Sequence, residues 1–352
     1  MSRDFIYSGS PAHIVFGDGK SALAGEWIEK LGCKRALVLS TPQQKADAEA
    51  LAVRLGSLAA GVFAGAVMHT PVEVTERAMQ VVREIEADCV VSLGGGSTTG
   101  LGKAIAYRND LPQVVIPTTY AGSEVTPILG QTDGGRKTTV RHERILPEVV
   151  IYDPTLTLGL PVGMSVTSGL NAMAHAVEGL YARDRNPIST LMALEGLRAF
   201  KTSLPEIVKS PRDARARSEA LYGAWLCGSV LGTVGMALHH KICHTLGGTF
   251  DTPHAETHAI MLPHTAAYNA LAETELLAPV AQMFGGSVGN GLWNFAKEIG
   301  APMALKDLGL SEVDLDRAAD IAVENPYWNP RPIDRASIRK LLQDAWEGRP
   351  PA

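Results

Sequence analysis

Hydrophobic residues in the first half of the chain follow two patterns that alternate. Short runs rich in β-branched and other apolar residues predict strands at 36–40, 61–67, 89–93, 114–117 and 149–153. Between them, apolar residues recur every three or four positions, as at 20–31 and 72–85, which predicts helices. Strands that alternate with helices in this way indicate an α/β domain with a parallel sheet and crossover helices.

The pattern changes after Asp153 and Pro154. Long amphipathic stretches follow one another at 165–181, 189–208 and 213–233, and the β-rich runs disappear. Several prolines between 154 and 161 coincide with the end of the last predicted strand. We therefore predict an α/β domain over residues 1–157 and an all-α domain over residues 158–352.

Length and composition narrow the class of protein. A chain of 352 residues exceeds what one hydrophobic core usually supports, which favours two domains. The net charge is −5 and no basic run could follow a phosphate backbone, so we expect a small-molecule partner and no nucleic acid.

Four cysteines without Cys-x-x-Cys spacing predict reduced, buried thiols and a cytoplasmic protein. The chain also lacks a secretion-signal pattern and a long apolar span, so no membrane is expected.

A glycine-rich loop is the first candidate ligand site. The apolar run at 90–93 ends in Gly94, Gly95 and Gly96, and Ser97 then leads into a helical stretch at 98–107. Glycines allow a pyrophosphate to approach the backbone, and the free amides and dipole of the next helix stabilise its negative charge. A tight turn without a ligand is the alternative interpretation of this loop alone.

A hydroxyl-rich loop follows the next predicted strand. Thr118, Thr119 and Ser123 come after the run that ends at Pro117, and open α/β sheets bind ligands outside the carboxyl ends of their strands. Hydroxyls that only satisfy the loop backbone are the alternative. Two such loops on consecutive strands favour a shared dinucleotide site.

The end of the second strand bears on which nicotinamide cofactor is used. Ser40 and Thr41 stand there, whereas strict NAD enzymes often place an acidic residue at this point to bind the ribose hydroxyls. Because no carboxylate would repel a 2′-phosphate, we predict cofactor contacts at Ser40 and Thr41 and acceptance of NADPH beside NADH.

Histidines concentrate in the helical half, where six of the ten lie between 239 and 264. Three pairs, Asn171 with His175, 240 with 244 and 254 with 258, are four residues apart and share a helix face. Such pairs form either a metal site or a polar substrate pocket, and a purely structural role is the alternative for any single histidine. The predicted catalytic residues are Asn171, His175, His240, Lys241, His244 and His254.

The order and spacing of these motifs resemble the iron-containing alcohol dehydrogenase superfamily. The resemblance rests on Gly94 to Ser97, Pro117 to Thr119, Asn171 with His175, and His244 and His254 ahead of the Leu-Pro-His triplet at 262–264. Four segments are similar to one branch, the maleylacetate reductases: GGGSTTGLGK at 94–103, PTTYAGSEVTPI at 117–128, PHAETHAIMLPH at 253–264 and YWNPRP at 327–332.

This resemblance implies the fold shared with dehydroquinate synthase, an α/β dinucleotide-binding domain followed by an all-α domain. It also implies NADH or NADPH as cofactor, a homodimer, and a small dicarboxylate substrate. The expected reaction reduces the carbon–carbon double bond of maleylacetate to give 3-oxoadipate in the catabolism of aromatic compounds. A proton would come from His244, with the enolate stabilised by His244, His254 and Lys241.

Two positions depart from the metal-dependent pattern. The resemblance places the family's metal ligands, an aspartate and three histidines, at Asn171, His175, His244 and His254. An asparagine oxygen is neutral and a weaker ligand, so we expect a degenerate site and no metal requirement. Gly100 stands where the family usually has an aspartate after the glycine loop, and both changes make the site less acidic.

Three other interpretations remain open. The closest is a metal-dependent alcohol or polyol dehydrogenase of the same superfamily, acting with iron or zinc. An inactive dinucleotide-binding protein is supported only by Asn171. A cyclising lyase like dehydroquinate synthase is remote, because its lysine- and arginine-rich phosphate site is not found.

Overall fold

The computed structural model describes residues 13–134 and 136–351, together with residues 5, 7 and 9. Two compact units divide the chain between Leu160 and Pro161, whereas the sequence placed the division between 157 and 158. A 3-10 helix at Pro154–Thr157 carries the chain beyond the last strand within the first unit. Most of residues 1–12, which the predicted first domain includes, lie outside the described residues.

A six-stranded parallel sheet forms the centre of the α/β unit, as the alternating pattern predicted. In spatial order its strands are β1 (His13–Phe16), β8 (Val149–Tyr152), β5 (Gln113–Pro117), β4 (Cys89–Gly94), β2 (Ala36–Leu39) and β3 (Ala59–Phe63). Residues of β2, β4, β5 and β8 are buried throughout. Both faces of these strands are covered, which explains why they read as continuous apolar runs.

Helices cover the two faces of this sheet. They are α1 (Ala24–Lys30), α2 (Lys45–Leu55), α3 (Val72–Glu84) and α4 (Gly96–Asn109). Successive side chains of a strand point to opposite faces, so Val38 joins the core with α1 and α2 while Leu37 and Leu39 join the core with α3. The fold class predicted from the sequence is confirmed for this unit.

Two local features differ from the sequence-based expectation. The strand predicted at 61–67 is Ala59–Phe63, because its partner β2 ends at Leu39, which pairs with Phe63. An antiparallel hairpin of β6 (Ile128–Asp133) and β7 (Arg136–Arg141) was not predicted. Its polar, glycine-containing sequence lacks the apolar runs by which the other strands are recognised.

The second unit is helical, and its described residues include no strand. Its helices are α5 (Val162–Tyr181), α6 (Pro187–Lys209), α7 (Ala214–Thr233), α8 (Leu238–Thr249), α9 (His254–Ala270), α10 (Thr274–Phe284), α11 (Val288–Glu298), α12 (Asp314–Val323) and α13 (Arg335–Glu347). Side-chain caps set several starts: Asn186 accepts from the Ser189 amide (3.0 Å) and Asp213 from the Ala216 amide (2.7 Å).

Long apolar helices in this unit are packed closely. A Cβ atom at Gly196 of α6 would lie 2.6 Å from the Cys227 sulfur of α7, so glycine is needed for the two helices to approach. No single described helix is long and apolar enough to cross a membrane; α7 and α8 pass such a test only as a pair bent by 96°. All four cysteines are free and buried, as their spacing predicted.

Candidate active site

The glycine loop joins β4 to α4 in the α/β unit. Gly94 has a φ of 155°, and a Cβ atom there would collide with the Thr98 hydroxyl. A Cβ atom at Gly95 would lie 2.7 Å from Cγ2 of Thr119. Beyond its chain neighbours and the backbone of α4, no described heavy atom lies within 4 Å of the Cβ position at Gly96, which leaves space at the start of α4. Unpaired amides at a helix N-terminus, with space beside them, suit a phosphate group.

The hydroxyl loop lies beside the glycine loop because their strands are neighbours. Gly94 is in register with Pro117, and the Thr118 amide donates to the Gly94 carbonyl (3.1 Å). Gln44, which follows β2, donates from Nε2 to the Thr118 hydroxyl (3.1 Å). The carboxyl ends of β2, β4 and β5 therefore form one continuous edge, which brings Thr41, Ser97, Thr118 and Thr119 to the same side of the sheet.

A buried lysine shapes the hydroxyl loop. Lys103 of α4 donates from Nζ to the Ser123 carbonyl, to the Thr126 hydroxyl (2.9 Å) and to the Ile128 carbonyl (3.0 Å). Burial lowers the pKa of Lys103 to about 7, and the nearby Glu124 carboxylate opposes that change. These three hydrogen bonds from one ammonium group connect α4, the helix after the glycine loop, to the predicted cofactor loop.

Ser40 differs from the other predicted cofactor residues. Its side chain is fully buried, and its hydroxyl donates to the Thr41 carbonyl (3.1 Å). Thr41 is partly exposed at the strand end. The cofactor contacts expected at Ser40 and Thr41 stay predictions.

A threonine fills the space beside Gly100. A Cβ atom at Gly100 would collide with the Thr70 hydroxyl, so no aspartate fits at this point of α4 in the present arrangement. Thr70 has a φ of 46°, a conformation rare for a β-branched residue. Such backbone strain is found preferentially at ligand sites and has to be supported by the surrounding structure.

In the helical unit, three polar residues share one face of α5. Asn171, His175 and Glu178 are spaced at i, i+4 and i+7, and all three are buried. The Asn171 Oδ1 atom has no hydrogen-bond partner within the described part of the chain. An unpaired buried oxygen is costly, so this atom indicates a place for a ligand.

Glu178 was not predicted as a site residue, although its spacing from His175 was visible in the sequence. Its carboxylate accepts hydrogen bonds from the amides of Ala237 (3.0 Å) and His239 (2.7 Å) and from Nδ1 of His240 (2.5 Å). The first two bonds satisfy free amides at the start of α8, and the third sets the orientation of the His240 ring.

His240 in turn contacts His175, and this pairing connects α8 to α5. The Nε2 atom of His240 lies 3.0 Å from Nδ1 of His175. A carboxylate oxygen accepts, so Nδ1 of His240 donates to Glu178. The contact between the two imidazole rings then fixes His175 of α5 relative to α8.

A second group of donors lies on the more exposed face of α8. His244 Nδ1 is 3.0 Å from the Tyr327 hydroxyl, and Lys241 Nζ is 6.0 Å from the centre of the Tyr327 ring. Burial lowers the pKa of Lys241 and raises that of Tyr327. Tyr327 belongs to the YWNPRP segment at 327–332 but was not among the predicted site residues.

Among the described residues, the ligand atoms of the histidines predicted as a degenerate metal site do not form a group of three within 4.8 Å of one another. His254 begins α9 and packs against His258 with ring centres 4.4 Å apart. Within the described residues, three ligand atoms of His, Cys, Asp or Glu come within 4.8 Å of one another in two groups, His239–Cys243–His258 and Cys33–Asp88–Cys89. Neither group includes His175, His244 or His254.

Family models, curated relatives and solved structures all match this chain over nearly its whole length. Two models of the iron-containing alcohol dehydrogenase family match residues 11–154 and, for its C-terminal part, 165–346. Maleylacetate reductases from Rhizobium sp. and Burkholderia cepacia are 65% and 53% identical, covering 99% and 98% of both chains. The crystal structure of maleylacetate reductase from Agrobacterium tumefaciens is 65% identical, covers 99% of this chain and 100% of its own, and superimposes with a TM-score of 0.96.

Proposed function

Because the chain belongs to the iron-containing alcohol dehydrogenase family, we propose that it is an NAD(P)H-dependent oxidoreductase that reduces the carbon–carbon double bond of maleylacetate to 3-oxoadipate. The observation that carries this proposal is full-length identity of 48–65% to relatives named for that reaction. The donors grouped at Lys241, His244 and Tyr327 support it independently, because they suit a substrate with two carboxylates.

The α/β unit is proposed to hold the cofactor. The amides at the start of α4 would bind the pyrophosphate, with Gly94, Gly95 and Gly96 allowing the close approach. Thr118, Thr119 and Ser123 would supply hydroxyl contacts, and Thr41 would lie near the adenosine ribose. Since the end of β2 carries no carboxylate, we expect NADPH to be accepted beside NADH; a ratio of catalytic efficiencies that strongly favours NADH would refute this part.

The helical unit is proposed to hold the substrate and stabilise the charge that develops. When bound, the nicotinamide supplies a hydride to the alkene carbon beta to the ketone, which leaves an enolate on the substrate. Lys241, His244 and His254 would stabilise the enolate oxygen, an effect worth about 3 to 4 kcal/mol for each well-directed donor. His244 would then give a proton to the alpha carbon, which regenerates the ketone in the product.

Donor chemistry supports a reaction that does not depend on iron. The family name implies a metal, and the expected ligand set needs a carboxylate, but Asn171 offers a neutral amide oxygen. His244 is paired with Tyr327 and His175 with His240, and neither belongs to a three-ligand group. These residues do not fit a tightly held ferrous ion, so no step above involves one.

The decisive experiment measures oxidation of NADH and of NADPH when maleylacetate is added to the purified, chelator-treated protein. Simple aldehydes serve as control substrates. Turnover that is specific for maleylacetate and independent of metal would support the proposal. Activity restored only by iron or zinc, or seen only with aldehydes, would identify a metal-dependent dehydrogenase instead, and cofactor binding without turnover would indicate an inactive protein.

We infer two further properties, the cellular compartment and the oligomeric state. Four free, buried thiols favour the reducing cytoplasm. The family resemblance favours a homodimer, which sedimentation velocity would test.

A further inference from the structure

Three buried side chains form a hydrogen-bonded series between α8 and α9. The Thr265 hydroxyl lies 2.9 Å from Nδ1 of His239, and Nε2 of His239 lies 2.9 Å from Nδ1 of His258. None of the three is more than 1% exposed. The direction of each bond follows from counting protons.

Thr265 sets the direction at the first contact. Its hydroxyl oxygen also lies 2.9 Å from the Met261 carbonyl, one turn earlier in α9. A carbonyl oxygen carries no proton, so the single hydroxyl proton of Thr265 occupies that bond. The contact with His239 therefore needs the imidazole proton, which places it on Nδ1 of His239.

The second contact then sets the tautomer of His258. Both rings are buried and are hydrogen-bonded to neutral groups, where a second proton would leave a buried charge without a counter-ion, so each ring carries one proton. With its proton on Nδ1, His239 offers a lone pair at Nε2, and His258 must donate from its own Nδ1. The Nε2 atom of His258 is thereby left with a lone pair.

That lone pair is buried and lies among the predicted catalytic histidines. The Nε2 atom of His258 has no hydrogen-bond partner in the described residues. The His258 ring centre is 4.4 Å from that of His254 and 5.1 Å from that of His240. An unpaired acceptor in such a position calls for a donor that the described side chains do not provide.

We propose that Thr265 is a positioning residue that acts through His239 to hold His258 in this tautomer, and that the His258 Nε2 lone pair binds a water molecule among the site histidines. The identity of the substrate comes from the proposed function. Maleylacetate as a dianion has only acceptor oxygens, which the lone pair repels, so water is the donor. The carboxylates are left to donors such as the Tyr327 hydroxyl.

Nitrogen-15 NMR of the protein labelled at histidine measures the tautomer directly, with His258→Gln used to assign the signal. We expect the wild-type His258 to carry its proton on Nδ1. In Thr265→Val the acceptor for His239 is lost, so the protons of His239 and His258 should both move to Nε2. Thr265→Ser should retain the wild-type tautomers, because it restores the hydroxyl.

Kinetics distinguish positioning from a general loss of structure. For Thr265→Val we expect kcat for maleylacetate to fall about tenfold or more, as is usual when a supporting partner of a site histidine is removed. The KM for NADH should not change, and Thr265→Ser should recover activity. Thr233→Val is a matched control, since the Thr233 hydroxyl likewise donates to the carbonyl four residues earlier (2.7 Å), and it should retain normal kcat.

Several results would overturn the inference. These are a wild-type His258 protonated on Nε2, an unchanged tautomer in Thr265→Val, or a high-resolution crystal structure with a substrate carboxylate rather than water on His258 Nε2. Failure of the wild-type protein to reduce maleylacetate would refute the proposed function alone, because the NMR experiment on the resting protein still decides the tautomer.

Discussion

Replacing Glu178 tests the buried network that connects α5 to the start of α8. Its carboxylate accepts from three buried donors, the amides of Ala237 and His239 and the ring of His240. Each buried donor left without an acceptor costs about 1 to 3 kcal/mol. Glu178→Ala removes both acceptor oxygens and leaves all three donors without a partner, so we expect the free energy of unfolding to fall by at least about 3 kcal/mol.

Glu178→Gln gives an intermediate value that can be worked out from the same contacts. If the amide oxygen takes the place of Oε2, it still accepts from Ala237 and His240, while the new NH2 group faces the His239 amide. Only the His239 amide loses its acceptor, so the free energy of unfolding should fall by about 1 to 3 kcal/mol. The order of stability is therefore wild type, then Gln, then Ala.

Urea unfolding near neutral pH, followed by far-UV circular dichroism and tryptophan fluorescence, measures these differences. Glu206→Ala is the control: Glu206 is 56% exposed and lies 3.7 Å from Lys209, a surface ion pair worth about 0 to 1 kcal/mol. The reasoning fails if Glu178→Ala is no more destabilising than Glu206→Ala.

Three other predictions concern turnover, the cofactor loop and acid. His244→Ala should lower kcat for maleylacetate by about a hundredfold, since general acid catalysis contributes this order of magnitude; near-normal turnover would exclude His244 as the acid. Gly95→Ala should raise the KM for NADH at least several-fold, because its Cβ atom would lie 2.7 Å from Thr119 Cγ2; unchanged saturation kinetics would contradict this. Burial lowers the pKa of His264 from 6.5 to about 4, so between these values the unfolded chain binds more protons and stability falls as the pH falls. The loss should reach about 3 kcal/mol across that window, should be smaller in His264→Gln, and would be disproved by equal urea midpoints at both ends.

Much of the cofactor side could be predicted from local sequence. A continuous apolar run indicates a strand covered on both faces, and glycines directly after it indicate a close turn into a helix. Both signals depend on neighbouring residues, so Gly94 to Ser97 and Thr118 to Ser123 appear at the expected strand ends. The buried position of Ser40 was not visible, because it depends on contacts made by residues far along the chain, such as the Phe63 carbonyl that accepts from its amide (3.1 Å).

For the site in the helical unit, the sequence predicted which residues share a helix face, but it did not predict which side chains from different helices meet. Helical periodicity by itself determined which polar residues share a face, including Asn171 with His175 and the pair at 240 and 244, because that spacing is a property of one helix. Only the tertiary structure decided that His175 pairs with His240, 65 residues away, and that His239 pairs with His258. Hydrogen-bond direction, and so the tautomer of each ring, depends on atoms brought together by packing of separate helices, and no local pattern in the chain encodes it.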